Sequence, residues 1–299
     1  MKTWQYATIV FLGGCCFGIL STFVKLAYSA GFSMAEVAGG QFLFGTIFIW
    51  LIVLITKKKK FNISMLQVCK LLISGFPMGL TGIFYYKSLQ TVDASLAIIF
   101  LFQFIWIGTL IEWIFYKNKP NQSKLISIII LLVGSVLAAG FIVDGIKELS
   151  LIGMIWGMLS ACTFSIFILV SGAVGNNVPP IFKSALLSTG ALSIVMILFP
   201  PMFLFNIPVL LGLAPYGLLL GFFGVFLPPL LFSIGMPYVG PGLGTILSAS
   251  ELPVAVIMSA IILGENVTLI QWSGVSLILA GIVFGNATFL KRKNESRLT

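Results

Sequence analysis

Apolar residues run through this chain in ten stretches of about 20, each bounded by a short polar or Pro/Gly segment. A bilayer core about 30 Å thick takes about 20 residues of helix to cross. We therefore place membrane helices near residues 5–27, 34–56, 66–87, 94–116, 124–143, 151–173, 180–204, 212–235, 241–263 and 270–290. Helix-start signals agree with these limits. Ser33-x-x-Glu36, Ser64-x-x-Gln67 and Thr268-x-x-Gln271 have capping-box spacing, Asp93 can cap the fourth helix, and Pro179 and Pro180 suit a first helical turn. The first stretch begins at Trp4 and lacks a small-residue cleavage pattern, so we read it as a span rather than a signal peptide.

Composition sharpens this into an integral membrane protein. Of 299 residues, 59% are hydrophobic and 8% charged, where a soluble chain shows about a quarter charged. No histidine is present, which removes the commonest proton carrier and metal ligand. Cys15, Cys16, Cys69 and Cys162 sit in or beside apolar stretches and form no CxxC pair, so neither a disulfide framework nor a metal site is expected. We expect no cofactor and no enzymatic activity.

The net charge of +9 is explained by where the basic residues fall. With the N-terminus inside, Lys2, Lys57 to Lys60, Lys70, Lys117, Lys119, Lys124, Lys183, Lys291, Arg292, Lys293 and Arg297 lie at the inner face, and Lys25, Lys87 and Lys147 at the outer. Basic residues are retained on the cytoplasmic side. Both termini are thus expected in the cytoplasm, with the Lys57 to Lys60 run as a topology anchor and no role for nucleic acid. The compact loops suggest a bacterial-type cytoplasmic membrane.

The chain also repeats itself. Gly14-x-x-x-Gly18-x-Leu20-Ser21 in the first helix recurs as Gly153-x-x-x-Gly157-x-Leu159-Ser160 in the sixth. Gly75-x-x-x-Gly79-x-x-Gly82 in the third recurs as Gly217-x-x-x-Gly221-x-x-Gly224 in the eighth. Small residues four apart serve close helix packing anywhere in lipid, but here the order is kept as well. Five helices per half, an odd number, send the second copy in from the opposite side. The fold expected is all-α, with ten transmembrane helices in two inverted five-helix repeats, residues 1–146 and 147–299. Inverted repeats are the architecture of many secondary transporters.

These features resemble the EamA type of the drug/metabolite transporter superfamily. The segment Ile246-Leu247-Ser248-Ala249-Ser250-Glu251-Leu252-Pro253-Val254 is similar to that family's ninth-helix S-x-x-E-P-x segment, with Leu252 inserted. Leu263-Gly264-Glu265 matches its LGE turn, Gly274 and Leu279-Ala280-Gly281 its tenth helix, and Ala94-Ser95-Leu96-Ala97 its fourth-helix start. Tyr116-Lys117 stands where Gly-Glu is usual, and Gln41 where Arg is common. The resemblance implies passage of small metabolites through a cavity lined mainly by helices 1, 3, 4, 6, 8 and 9.

Ionisable groups inside a membrane are costly, so depth selects the candidates. Lys25, Lys70, Lys87 and Lys183 lie near helix ends and are expected to snorkel as anchors. Glu112 is expected to pair at the interface with Lys117 or Lys119, Glu36 to cap its helix, and Glu265 to cap or turn the chain. Glu251 stands about ten residues into its helix, near the midplane. A carboxylate out of water and unpaired favours its neutral form, so Glu251 is a candidate to take up a proton, to bind a cationic group, or to exchange the two. It can also serve structure, because Pro253 cannot donate to the Ala249 carbonyl.

Gln103 occupies the corresponding position in the fourth helix. Trp106, Tyr85, Tyr86, Trp156, Ser160, Phe164 and Ser233 complete the candidate substrate site, with aromatic faces suited to an ammonium group. Pro228-Pro229 inside the eighth helix is the candidate hinge, followed by a kinked link, Gly235-x-Pro237-x-x-Gly240-Pro241-Gly242. The function expected is secondary transport of an amino acid, amine or similar small solute by alternating access around a midplane site. Protons as co-substrate and a uniporter with a neutral Glu251 both remain open, as do a monomer and a homodimer. The competing class is a sensor or assembly subunit on the same scaffold.

Overall fold

The structure is a computed structural model that describes residues 3–56, 63–92, 94–138, 150–264 and 266–295. It is all-helical. We number the helices α1 Thr3–Ser29, α2 Met34–Ile55, α3 Met65–Leu89, α4 in two pieces (Ala94–Phe102 and Phe104–Tyr116), α5 Gln122–Ala138, α6 Leu151–Ala173, α7 Pro180–Leu198, α8 Ile207–Val239, α9 Pro241–Leu263 and α10 Leu269–Glu295. Among the described residues nine are long and apolar enough to cross a membrane, and α5 is the shorter tenth.

The expected starts hold where side chains are described. Ser33 and Glu36 close a full capping box on α2, Ser64 and Gln67 do so on α3, and Thr268 and Gln271 exchange the same bonds before α10. Pro180 opens α7 from a Pro179 cap. Asp93, Glu265 and the Lys57 to Lys60 run lie outside the described residues.

The inverted repeat is written into the helix pairings. α1 packs on α8 and α9, and its repeat mate α6 packs on α3 and α4. α2 packs on α8, and its mate α7 packs on α3. Three further pairs, α2 with α7, α4 with α9 and α5 with α10, join a helix to its own mate. Exchanging the halves carries these pairings onto one another, as a pseudo-two-fold axis requires, while the packing of α6 on α8 has no such counterpart between α1 and α3 among the described residues. The repeated glycines sit at these crossings: a side chain at Gly18 would run into the Glu251 carbonyl of α9, and one at Gly157 into Phe100 of α4.

Three of the helices depart from regular α geometry, with local causes. In α8, the helix runs straight through Pro228 and Pro229, and the irregularity is a π-helical turn at Phe222–Phe226, one turn earlier. Proline has no N–H to give the carbonyl four residues back, and for Pro229 that carbonyl is Val225, which instead accepts from the Ser188 hydroxyl at 2.8 Å. Ser188→Ala is expected to cost about 1–2 kcal/mol, because it leaves a buried carbonyl unmet. A thermal-unfolding midpoint unchanged from wild type would contradict this.

In α9 the break falls at Ala249 and Ser250, whose N–H groups reach back only three residues, to Ile246 and Leu247. Pro253 again withholds a donor, and the Ala249 carbonyl takes the Leu252 N–H. The Ser250 hydroxyl bonds the Phe11 carbonyl of α1 at 2.8 Å, with Gly14 beside it leaving the room. In α4 the break is Gln103, whose N–H bonds Phe100 and whose side-chain amide bonds the Ile99 carbonyl at 3.0 Å. The two breaks occupy corresponding places in the two halves.

Two polar expectations are corrected by packing. Lys183 is not at an interface: it is 1% exposed, and its ammonium donates to the Ser171 carbonyl at 2.8 Å and to Asn176 Oδ1 at 3.1 Å. It closes the C-terminal end of α6, where the helix dipole favours a cation. Glu112 does form an ion pair, but with Lys124 of α5 at 2.6 Å rather than with the nearer-in-sequence Lys117 or Lys119. Lys117 takes the left-handed backbone that turns the chain (φ 56°), and α5 then brings Lys124 back over Glu112.

Candidate functional site

A cavity of about 80 Å³ lies among α1, α2, α3, α4, α6, α8 and α9. Helix 2 thus joins the six that were expected. By position along their helices, Ser21, Gln41, Tyr85 and Tyr86 place the cavity in the half of the bundle that carries Ser33, reaching down to Glu251 at mid-depth. On the opposite side it meets a cluster of rings. Phe17 contacts Phe164 and Phe232 edge-on, Phe164 contacts Phe104 edge-on at 4.8 Å between centroids, and Phe167 stacks between Phe164 and Phe232. Phe104, Phe167 and Phe232 are fully buried. By position along their helices these rings lie on the side of the cavity toward the end of the bundle that carries the N-terminus.

The wall is mostly apolar, with polar groups from Ser21, Gln41, Thr81, Tyr85, Tyr86 and Glu251. Glu251 opens the second piece of α9, directly after the break that Pro253 imposes. Its Oε2 is buried and has no hydrogen-bond partner among the described residues. The Ala249 carbonyl that Glu251 was a candidate to satisfy is already bonded by Leu252. No Lys or Arg among the described residues lines the cavity. The Tyr85 and Tyr86 rings are neighbours, 6.2 Å between centroids. The Tyr86 hydroxyl donates to Gln41 Oε1.

The sequence candidates divide into two groups. Glu251, Tyr85, Tyr86 and Phe164 line the cavity together. Gln103 and Trp106 share a helix face and bond each other, Trp106 Nε1 to Gln103 Oε1 at 2.7 Å, but neither lines the cavity, and Trp106 is 37% exposed. Trp156 stacks on Phe84 and lies under the Lys87 ammonium at 4.5 Å. Ser160 is buried with its hydroxyl on the Gly157 carbonyl, and Ser233 is buried on α8. Pro228 and Pro229 are buried in α8 next to its π-helical turn.

Gln41, Ser21 and Thr81 line the cavity without having been candidates. For Gln41 the sequence carried a signal, a carboxamide eight residues into an apolar helix, and the structure adds the reason it fits. Gly224 faces it, and a Cβ there would come within 2.5 Å of Gln41 Nε2.

The EamA-like transporter family profile matches residues 4–140 and again 151–286, one match on each half. The chain belongs to the EamA-like transporter family. It is a membrane transporter of small molecules, with the two-repeat, multi-pass architecture of that family. An uncharacterized transporter, YxxF, of Bacillus subtilis (strain 168) is 24% identical over 238 residues, covering 78% of this chain and 73% of the relative. A solved crystal structure superposes with a TM-score of 0.71 at 15% identity, over 93% of this chain and 98% of its own, which is a likeness of fold.

Proposed function

We propose that this EamA-family protein is a secondary transporter of small amines or amino acids, alternating access around the cavity beside Glu251. It would lie in the cytoplasmic membrane with both termini inside. The observation that carries the reading is Glu251 itself: a carboxylate with an oxygen unpartnered among the described residues, at mid-depth, lining a cavity with aromatic walls. A buried charge without a partner is expensive, and a cationic solute or a proton would supply what the protein leaves out. Tyr85, Tyr86 and Phe164 offer the ring faces and edges against which an ammonium-bearing solute can rest. The ring cluster of Phe17, Phe104, Phe164, Phe167 and Phe232 would close the cavity toward the cytoplasm in this state.

A thermal-shift screen of purified protein against amino acids, polyamines, quaternary amines, nucleosides and sugars tests this directly. A ligand that binds only the folded state stabilises it by about 2.7 kcal/mol at a hundred times its Kd. We expect an amine or amino acid to raise the midpoint of the wild type by several degrees. Glu251→Gln should abolish the shift, whereas Gln103→Ala should keep it, since Gln103 spends its amide inside α4. Equal stabilisation of wild type and Glu251→Gln would remove Glu251 from the site.

A further inference from the structure

The charge balance of the cavity is narrower than that reading requires. Its wall carries one ionisable acid and, among the described residues, no base. A carboxylate entering beside Glu251 would meet only neutral donors and a like charge, and a second cation on the solute would find no second acid. Each case buries an ion without a counter-charge. A single positive charge is what the wall can match.

The second feature is the Gln41 carboxamide. Gln41 is 4% exposed, and its Oε1 is held by the Tyr86 hydroxyl. That bond fixes the plane of the amide and leaves the two Nε2 protons as donors. Gly224 makes space for Nε2, which rests against that glycine beside the Leu20 methyls, and both residues line the cavity. Gln41 lines the same small cavity as Glu251, so a solute held there can accept from Nε2.

We infer that the cavity selects a monocationic amine that also carries a neutral hydrogen-bond acceptor, with Glu251 receiving the ammonium and Gln41, oriented by Tyr86, reading the acceptor. The inference rests on the cavity being the substrate site. It excludes free amino acids in their zwitterionic form as preferred solutes, and it favours amino amides, amino esters and amino ketones over bare alkylamines. Gln41 is then the specificity-determining residue, and Tyr86 is a positioning residue acting through it.

A matched series separates the elements: leucinamide has the ammonium and a neutral carbonyl, isopentylamine the ammonium alone, and leucine the ammonium with a carboxylate. Dissociation constants would be measured by titration calorimetry on the purified, detergent-solubilised protein. For the wild type we expect leucinamide to bind about tenfold tighter than isopentylamine and at least tenfold tighter than leucine, in line with the strong rejection of analogues that leave a buried donor unpaired. Removing both members of a buried pair disturbs folding less than removing one, so the informative protein is the double variant Gln41→Leu/Tyr86→Phe. Its ratio of leucinamide to isopentylamine affinity should fall from about ten to about one. Tyr86→Phe alone should lose part of that preference, about threefold.

Leucine binding the wild type as tightly as leucinamide would overturn the inference, and so would a double variant that keeps the full preference. A different result would sink the reading beneath it. If Glu251→Gln binds isopentylamine as well as the wild type, or if none of the three compounds binds, the cavity is not the amine site and the selectivity falls with it.

Discussion

Gly190→Leu is expected to deplete the folded protein from the membrane. Gly190 lies where α7 crosses α3, and a Cβ built on it would overlap the backbone carbonyl of Leu72. The crossing is reciprocal: a Cβ at Gly75 of α3 would overlap the carbonyl of Leu187 on α7. A flexible side chain can step aside, but a helix backbone has to move as a whole. The cost should lie at the top of the about 1–3 kcal/mol typical of overpacking, or above it. α7 also packs on its own mate α2, so the displacement would spread to the symmetry axis. Gly172→Ala is the matched control, because its nearest neighbours would be at 3.5 Å, ordinary contact distance. It should be neutral or stabilising, since alanine exceeds glycine in helix propensity by about 1 kcal/mol. Size-exclusion profiles after a thermal challenge would distinguish the two. A monodisperse Gly190→Leu peak at wild-type yield would show that α3 and α7 are free to separate.

Lys183→Met should produce the largest loss among the polar substitutions. Methionine fills much of the same length, so the test isolates the ammonium. Its removal leaves the Ser171 carbonyl and Asn176 Oδ1 without the donor that joins them across the α6–α7 turn. The Ser171 carbonyl is buried, and an unmet buried acceptor costs about 1–3 kcal/mol, whereas Asn176 is exposed and can turn to water. Relief from burying a cation offsets part of this, and the net expectation is a loss of about 2 kcal/mol, read as a lower unfolding midpoint. Lys183→Arg, which keeps the charge and the donors, should fall between. An unchanged midpoint in Lys183→Met would mean that the dipole of α6 needs no cation.

Much of this fold could be read from the sequence because lipid enforces one rule, that each crossing be a long apolar helix. The spans at 34–56, 151–173 and 241–263 agree with the helices to within a residue, and the capping serines stand where they were expected. The repeat was equally visible, since glycines at helix crossings cannot be exchanged for larger residues without moving backbone. What the sequence did not reveal was direction around each helix. Gln103 and Glu251 stand at equivalent depth, but depth says nothing of azimuth. Gln103 turns to its own helix to repair a break, while Glu251 follows a break and faces the cavity. Lys183 was misjudged for a related reason: its place near a helix start suggested an interface, and only the fold shows the end of α6 arriving beside it. Glu112 met Lys124 rather than a nearer lysine because the left-handed turn at Lys117 reverses the chain.

The pairing pattern has a consequence for how substitutions would bias the protein. Contacts of α1 with α9 and of α6 with α4 are the same contact seen from the two faces of the membrane, whereas α2 with α7 and α5 with α10 belong to neither face. Under alternating access, loosening one member of a related pair should weight the equilibrium toward one side, and loosening its mate should weight it back. Gly18 and Gly157 are such mates. Matched enlargements at these two glycines would act as opposing thumbs on a balance, each disabling alone, and the double substitution would lie nearer the untouched protein in its conformational preference than either single one.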